Sequence, residues 1–492
     1  MVASAGSSGY RDRRNKIAMP PILTRQLDAI EPEIHAIGEE ILQRAEDAAP
    51  SIFSKERWQQ MAMEWMTTDE VLKGRLFRFI ETLPRLRNEQ EIAGKLKEQL
   101  HRDNGHPPLP GPLQLALAYR RNDSLYAALV AGLVRWGCEQ SARQFICGQT
   151  PEEAIDFVLR LRRGGMTFTL DLLGETVHSA EIARGHVETY LRLIKELSAS
   201  ARMWPANPLL DEAPWGPIPR VNISIKLTAL AANIGHLPPE AAAQSMVPPL
   251  REIFRAARNA GAFINVDMEH YAIKDITLEV FMGVLMEEEF RDWADCGIVI
   301  QAYLRETPDD MRDLAAWAQR RETPVTVRLV KGAYWDSETA AARAAGVEPP
   351  VWTEKWQSDA CFEETARIMI DSADVLRPAI GSHNVRSIAA ALAYARAVGL
   401  PPRTVELQML TGMGDPLKRA LVAMRERVRV YSPFGDLVRG MSYLIRRLIE
   451  NTSNDSFLRQ SFSADASHTE LLENPVGRRG QAGMYLSRLS DL

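Results

Sequence analysis

The chain has 492 residues, 46% hydrophobic and 25% charged, which is the balance of a folded globular protein and too long for one ordinary core. Its 59 basic and 64 acidic residues leave a net charge of -5 with no basic stripe, so nucleic-acid binding is set aside. Four cysteines, Cys138, Cys147, Cys296 and Cys361, stand far apart without a CxxC pair; neither a zinc cage nor a disulfide framework is indicated, and a reducing cytoplasm fits best.

Residues 1–20 read as a disordered lead-in, because their basic residues have no apolar run behind them to make a secretory signal. No later run is apolar enough to span a membrane. From 21 to 163, apolar residues recur at helical spacing, as in EEILQRAEDA, RLFRFIETLPRLR, LYAALVAGLVRWG and EEAIDFVLRLRR, so a helical domain and arm are expected. HRDNGHPPLPGP at 101–112 interrupts the pattern and Arg163-Gly164-Gly165 closes it.

After Gly165 short β-branched runs alternate with longer helical stretches, the pattern of parallel strands and crossover helices. The expected strands are Thr167–Leu173, Val221–Leu227, Phe263–Asp267, Ile298–Tyr303, Val325–Val330, Ala379–Ser382, Val405–Met409 and Val428–Tyr431. Eight such units over 164–462 predict a closed (β/α)8 barrel of the α/β class, with 463–492 as a C-terminal extension. No strand is followed by GxGxxG, and GxxxxGK[ST] is absent, so the usual dinucleotide and triphosphate cradles are missing.

Barrel active sites lie at the carboxyl ends of the strands, and polar residues gather there. Glu175 follows strand one, Lys226 closes strand two, Asp267 and Glu269 end strand three and Gln301 lies in strand four. Arg328 and Lys331 belong to strand five, Ser382-His383-Asn384 to strand six, Gln408 to strand seven and Tyr431 to strand eight. Taken singly, Glu175 or Glu269 is as well explained by a satisfied interior group or a solvated loop. Together, charges inside a barrel cost desolvation unless they pair or bind something polar, which points to a ligand.

In the helical segment YLIRRLIEN, Tyr443, Arg446, Arg447 and Glu450 share one face. Two adjacent guanidiniums directed inward suit a small carboxylate; the bland reading is a solvated helix face. Metal chemistry does not fit. Only His383 and His270 are placed to contribute, no HxH or HExxH occurs, and Lys226, Arg328 and Lys331 would repel a divalent cation. Lys226 or Lys331 as the Schiff-base lysine of a barrel aldolase is the alternative chemistry, and a catalytically inactive binding subunit is a third reading.

The run VRLVKGAYWD at Val327 resembles the fifth-strand motif of the proline dehydrogenase family, most of all the dehydrogenase half of the bifunctional proline utilization flavoproteins. IQAY at Ile300, GSHN at Gly381, LQMLTGMG at Leu407, YSPFG at Tyr431 and YLIRRLIEN at Tyr443 follow in that family's order and spacing, so that the resemblance covers about 168–462 and weakens through the helical domain.

This resemblance implies non-covalently bound FAD and oxidation of L-proline to 1-pyrroline-5-carboxylate, with hydride passing from C5 to flavin N5 and electrons on to a membrane quinone. It implies that Arg446 and Arg447 pair with the substrate carboxylate, that Lys226 adds charge, and that Leu329, Tyr334, Leu410, Tyr431 and Tyr443 wall the ring. Asp267 would order the site and Glu175 brace one of its cations. FAD would meet Asp267, Gln301, Arg328, Lys331, Gly332, Trp335, Ser358, His383, Asn384, Gln408, Arg447, Glu450 and Phe457.

Ser358 departs from the family's KxxTD pattern, since this chain reads Lys355-Trp356-Gln357-Ser358-Asp359. No ribbon-helix-helix segment is recognised, so the DNA-binding activity of some relatives is not expected, nor is a second active site. Other expectations are a homo-oligomer, a pyrroline-5-carboxylate dehydrogenase domain or protein as partner, and a cytoplasmic place, peripheral at the inner face of the membrane.

Overall fold

The structure, a computed structural model, describes residues 23–48, 86–100, 124–174, 177–436 and 467–478, with scattered positions between 75 and 83 and at 121 and 122. Eight parallel strands close into a barrel in chain order, as the βα alternation predicts. They are β1 (Thr167–Leu172), β2 (Asn222–Ile225), β3 (Phe263–Val266), β4 (Cys296–Gln301), β5 (Val325–Val330), β6 (Leu376–Gly381), β7 (Glu406–Leu410) and β8 (Arg427–Phe434). β8 returns to β1 with Arg429 opposite Thr167 and Tyr431 opposite Thr169, which shuts the sheet and leaves no edge.

Alternation divides each strand between two environments. Phe168, Leu170 and Leu172 of β1 join the large apolar layer between strands and helices, where the Phe168 ring meets Trp204 edge-on at 6.1 Å. Thr167, Thr169 and Asp171 take the other face and are also buried. Thr169 and Ser224 hydroxyls meet at 3.2 Å, and Ser224 in turn accepts from Arg328. The inside of this barrel therefore holds hydrogen-bonded polar side chains where branched aliphatic residues are usual.

The helical region divides in two. Helix α1 (Leu23–Asp47) buries Ile34, Ile37, Ile41 and Leu42 in the same apolar core as the barrel. Arg386 clamps it there: its guanidinium donates to Glu363 at 2.9 Å and to Glu31 of α1 at 3.0 Å, and to the Leu472 carbonyl at 3.0 Å. Helices α2 (Glu89–Leu100) and α3 (Leu125–Arg143) instead share a small core of their own around Phe79, Ile92, Leu96, Ala127 and Ala131. Helix α4 (Pro151–Arg163), capped by Thr150 and opened by a proline, leads into β1 through Gly165 at φ +75, a left-handed turn that glycine adopts without strain.

A two-stranded pairing of Glu212–Ala213 with Gly216–Pro217, not expected from the sequence, lies between β1 and β2 and carries Trp215 to the amino-terminal end of the barrel. Cys147, Cys296 and Cys361 are buried free thiols. No described helix is long and apolar enough to cross a membrane.

Candidate active site

Asp267 stands just past β3, 7% exposed, and ties three strands together. Its Oδ1 accepts from Arg328 Nη1 at 2.8 Å and from the Asn265 amide at 3.1 Å; its Oδ2 accepts from the Tyr431 hydroxyl at 2.8 Å. These side chains meet because each occupies the inward register of its strand, not because they are near in sequence. A second donor of Arg328, Nη2, reaches Ser224 Oγ at 3.0 Å, and the guanidinium lies 5.2 Å over the Tyr431 ring. Arg328 Nε has no hydrogen-bond partner among the described residues. The guanidinium is thus fixed on two sides with one donor to spare.

Beside this cluster Lys226 follows β2 directly and its ammonium donates to Asp171, which is buried inside β1. Burial alone would favour the neutral amine, but the carboxylates of Asp171 and Asp267 outweigh it and raise the lysine pKa, so the charge persists. Asp171 is a member of the candidate site that the sequence does not single out. Attention falls on strand ends, whereas Asp171 is one polar step along the Thr167, Thr169, Asp171 alternation, and that alternation was its visible sign.

The Thr228 hydroxyl lies 2.8 and 2.7 Å from the two carboxyl oxygens of Glu269 and shares its one proton between them, and burial lifts the Glu269 carboxyl to about 7. Gln301 donates to the Glu269 carbonyl at 3.2 Å and keeps a buried Oε1 without a partner among the described residues. Lys331 and Lys355 share Asp359; burial works to raise that carboxyl, but the two ammoniums outweigh it and hold it at about 2. Two cations on one carboxylate leave an excess positive charge, with half-buried Ser358 adjacent. Gly332 runs at φ +130 hard against the Tyr303 ring, leaving no room for a β-carbon.

Tyr334 and Trp335 follow, the Tyr334 ring tilted against His270 with centroids 4.1 Å apart and Trp335 donating to the Trp352 carbonyl at 2.7 Å. His383 Nε2 accepts from the Leu410 amide at 3.2 Å, which brings the ends of β6 and β7 together. Asn384 sits at the same end, but its side-chain oxygen caps the next helix through Ser387 N at 3.1 Å.

Two expectations are corrected by strand register. Gln408, expected near a cofactor at the carboxyl end, turns the other way. It lies mid-strand in β7, donates to Glu406 at 2.7 Å and lines a cavity at the amino-terminal end. Leu329, expected in a substrate wall, alternates with inward-facing Arg328 and is fully buried in the apolar layer. Glu175, Tyr443, Arg446, Arg447, Glu450 and Phe457 lie outside the described residues. Among those described, Asp171 is what pairs with Lys226.

Comparison with known proteins places the chain. The family model for proline dehydrogenase matches residues 154–460, and that for the proline utilization A N-terminal domain matches 31–145. The bifunctional protein PutA of Escherichia coli is 30% identical over 70% of this chain, and proline dehydrogenase 1 of Bacillus subtilis is 27% identical over 66% of this chain and 91% of its own length. The chain spans about a quarter of the length of the bifunctional relatives, 26% for the Escherichia coli protein. Among solved structures, proline utilization A from Bdellovibrio bacteriovorus inactivated by N-propargylglycine superposes with a TM-score of 0.83 at 39% identity, over 91% of this chain and 44% of that one.

Proposed function

The chain belongs to the proline dehydrogenase family, and from that premise we propose that it oxidises L-proline to 1-pyrroline-5-carboxylate. The observation that carries the reading is the buried Asp267, Arg328 and Tyr431 cluster at the carboxyl end of the barrel, with the Lys226 ammonium held charged beside it. In the reaction C5 of proline gives up a hydride and the ring nitrogen a proton as the C5=N bond forms. A cluster whose acid and base partners already satisfy one another is suited to binding and orientation, not to proton shuttling.

The residues fit FAD. Gln301 Oε1 and Arg328 Nε are an acceptor and a donor without partners among the described residues, on neighbouring strands, which suits a flavin edge that alternates N–H and C=O. The excess positive charge of Lys331 and Lys355 over Asp359 suits its phosphates. Bound FAD supplies the hydride acceptor. Arg328, pinned by Asp267 and Ser224, orients against it without reorganising during the reaction.

Lys226 together with Arg446 and Arg447 is proposed to hold the proline carboxylate, while Tyr431, Tyr334 and Leu410 exclude water from the ring. A quinone is proposed as the next electron acceptor, and a pyrroline-5-carboxylate dehydrogenase as consumer of the product. The aldolase alternative is disfavoured at Lys226, whose ammonium is kept protonated by two carboxylates and is no nucleophile.

Anaerobic L-proline should bleach the visible absorbance of the FAD-loaded protein, and a quinone analogue should restore it; a loaded flavin that proline leaves yellow would sink the reading. Arg446→Met should raise the KM for proline by about two orders of magnitude, as expected when a desolvated carboxylate loses a cation. Unchanged proline kinetics in that variant would remove Arg446 from the site.

A further inference from the structure

At the end of the barrel opposite the active site, β6, β7 and β8 begin around a cavity of about 30 Å³. Its walls are charged and its charges do not balance. Glu406 is claimed by Arg429, which donates to both of its oxygens at 2.6 and 2.9 Å, and the Gln408 amide takes a further bond at 2.7 Å. Arg427, only 3% exposed, has only a share of the same carboxylate. Its Nε comes within 3.2 Å of Glu406 but out of line for a hydrogen bond, and neither Nε nor Nη1 has a hydrogen-bond partner among the described residues.

Trp215 lies between Arg427 and Arg377, its ring centroid 5.2 and 4.9 Å from the two guanidiniums, and its own Nε1 is without a partner among the described residues. Asp295 approaches Arg377 only to 3.9 Å. Three guanidiniums thus face two carboxylates, and the surplus positive charge falls on buried Arg427, which shares Glu406 with Arg429 and has two nitrogens without a hydrogen-bond partner among the described residues.

We propose that this cavity is a binding site for a monovalent anion of halide size, held chiefly by Arg427 and flanked by Trp215 and Arg377. The cavity is small: about 30 Å³ has room for a halide and exceeds the roughly 10–15 Å³ that a single water needs. Charge then chooses between those two. Water alone would satisfy the unpartnered amide oxygens of Asn222 and Gln408 but would leave the surplus positive charge uncompensated. Burial, with smaller contributions from the neighbouring guanidiniums, pulls Arg427 down to about 10 despite Glu406 beside it, still charged at neutral pH. The anion binds the folded chain alone, because the unfolded chain does not bring these strands together, and so stabilises it by mass action.

The test is thermal unfolding of the FAD-loaded chain at constant pH and ionic strength while chloride replaces gluconate. The wild type should gain a few degrees in Tm with a saturable dose dependence, and Arg427→Met should show none. Equal, non-saturable responses in both proteins would overturn the site. If Arg427→Met does not fold, crystals of the wild type grown in bromide decide: an anomalous peak within hydrogen-bonding reach of Arg427 supports the proposal, and a water alone at that position overturns it.

Discussion

Each end of the barrel buries a carboxylate among cations, and the two ends differ in what is left over. At the carboxyl end Asp267 and Asp171 face Arg328 and Lys226, so signs alternate and balance, while unused hydrogen-bonding capacity remains on Arg328 Nε and Gln301 Oε1. At the amino end Arg429 takes both oxygens of Glu406 and Arg427 must share that one carboxylate, so positive charge is in excess. Charge complementarity with open hydrogen-bonding valence prepares a place for a polar molecule of some size; charge surplus in a small cavity prepares one for an ion. Polarity along the barrel axis therefore does not by itself mark the active site. The pattern of satisfaction does.

The largest effect should come from breaking the first end. Asp267→Ala strands Arg328 and the Tyr431 hydroxyl, and unfolding in urea should show a loss of about 3–5 kcal/mol, with proline turnover abolished. An unchanged urea midpoint would mean that Asp267 does not hold the cluster.

Glu406→Gln should cost roughly 3 kcal/mol at neutral pH while the folded fraction keeps its turnover, because that carboxylate serves the other end. Its pH dependence is the sharper measurement. Burial opposes ionisation of Glu406, but Arg429 and Arg427 outweigh it and hold the carboxyl at about 2, below its ordinary 4.5. The stability it contributes is complete above 4.5 and is lost as pH falls from there toward 2. Wild type and variant should therefore converge on acidification, and parallel curves from pH 5 to 3 would contradict the pairing.

Asp171→Asn should have a smaller effect, about tenfold on the KM for proline with kcat little changed, since Lys226 loses its partner but keeps its place. With Asp171 neutralised the lysine pKa falls, so proline affinity should weaken earlier as pH rises than in the wild type. Identical pH profiles would show that Asp171 merely fills space.

The least is expected at Glu269. Burial raises its carboxyl to about 7, so the folded state holds a proton that the unfolded state releases, and stability declines as pH climbs through 7. Glu269→Gln should remove about 1 kcal/mol of that decline between pH 6 and 8, measured by urea unfolding at both limits.

Much of this was legible in the residues. Lys226, Asp267, Gln301 and Lys331 stand at strand ends in the sequence and at the carboxyl end of the barrel in space, because a short β-branched run flanked by polar residues defines its own terminus. Asp171 and Gln408 were harder, one overlooked and the other sent to the wrong end. Both lie within strands, and which end of the barrel a mid-strand side chain serves depends on the stagger between neighbours, with Gln408 level with Arg429 and Gly381. A sequence carries no direct record of stagger. Helix α1 was obscure for a related reason: its periodicity declares an apolar face but not the surface that receives it, which proved to be the barrel.

Periodicity and strand-end chemistry alone determined eight βα units and a carboxyl-terminal rim of ligand-seeking groups, since both are consequences of local geometry that repeats every two or 3.6 residues. The tertiary structure decided the pairings. Arg328 finds Asp267 across 61 residues and Arg429 finds Glu406 across 23 because closure of the sheet turns every second side chain of each strand toward one axis, where only opposite charges can share the space without water.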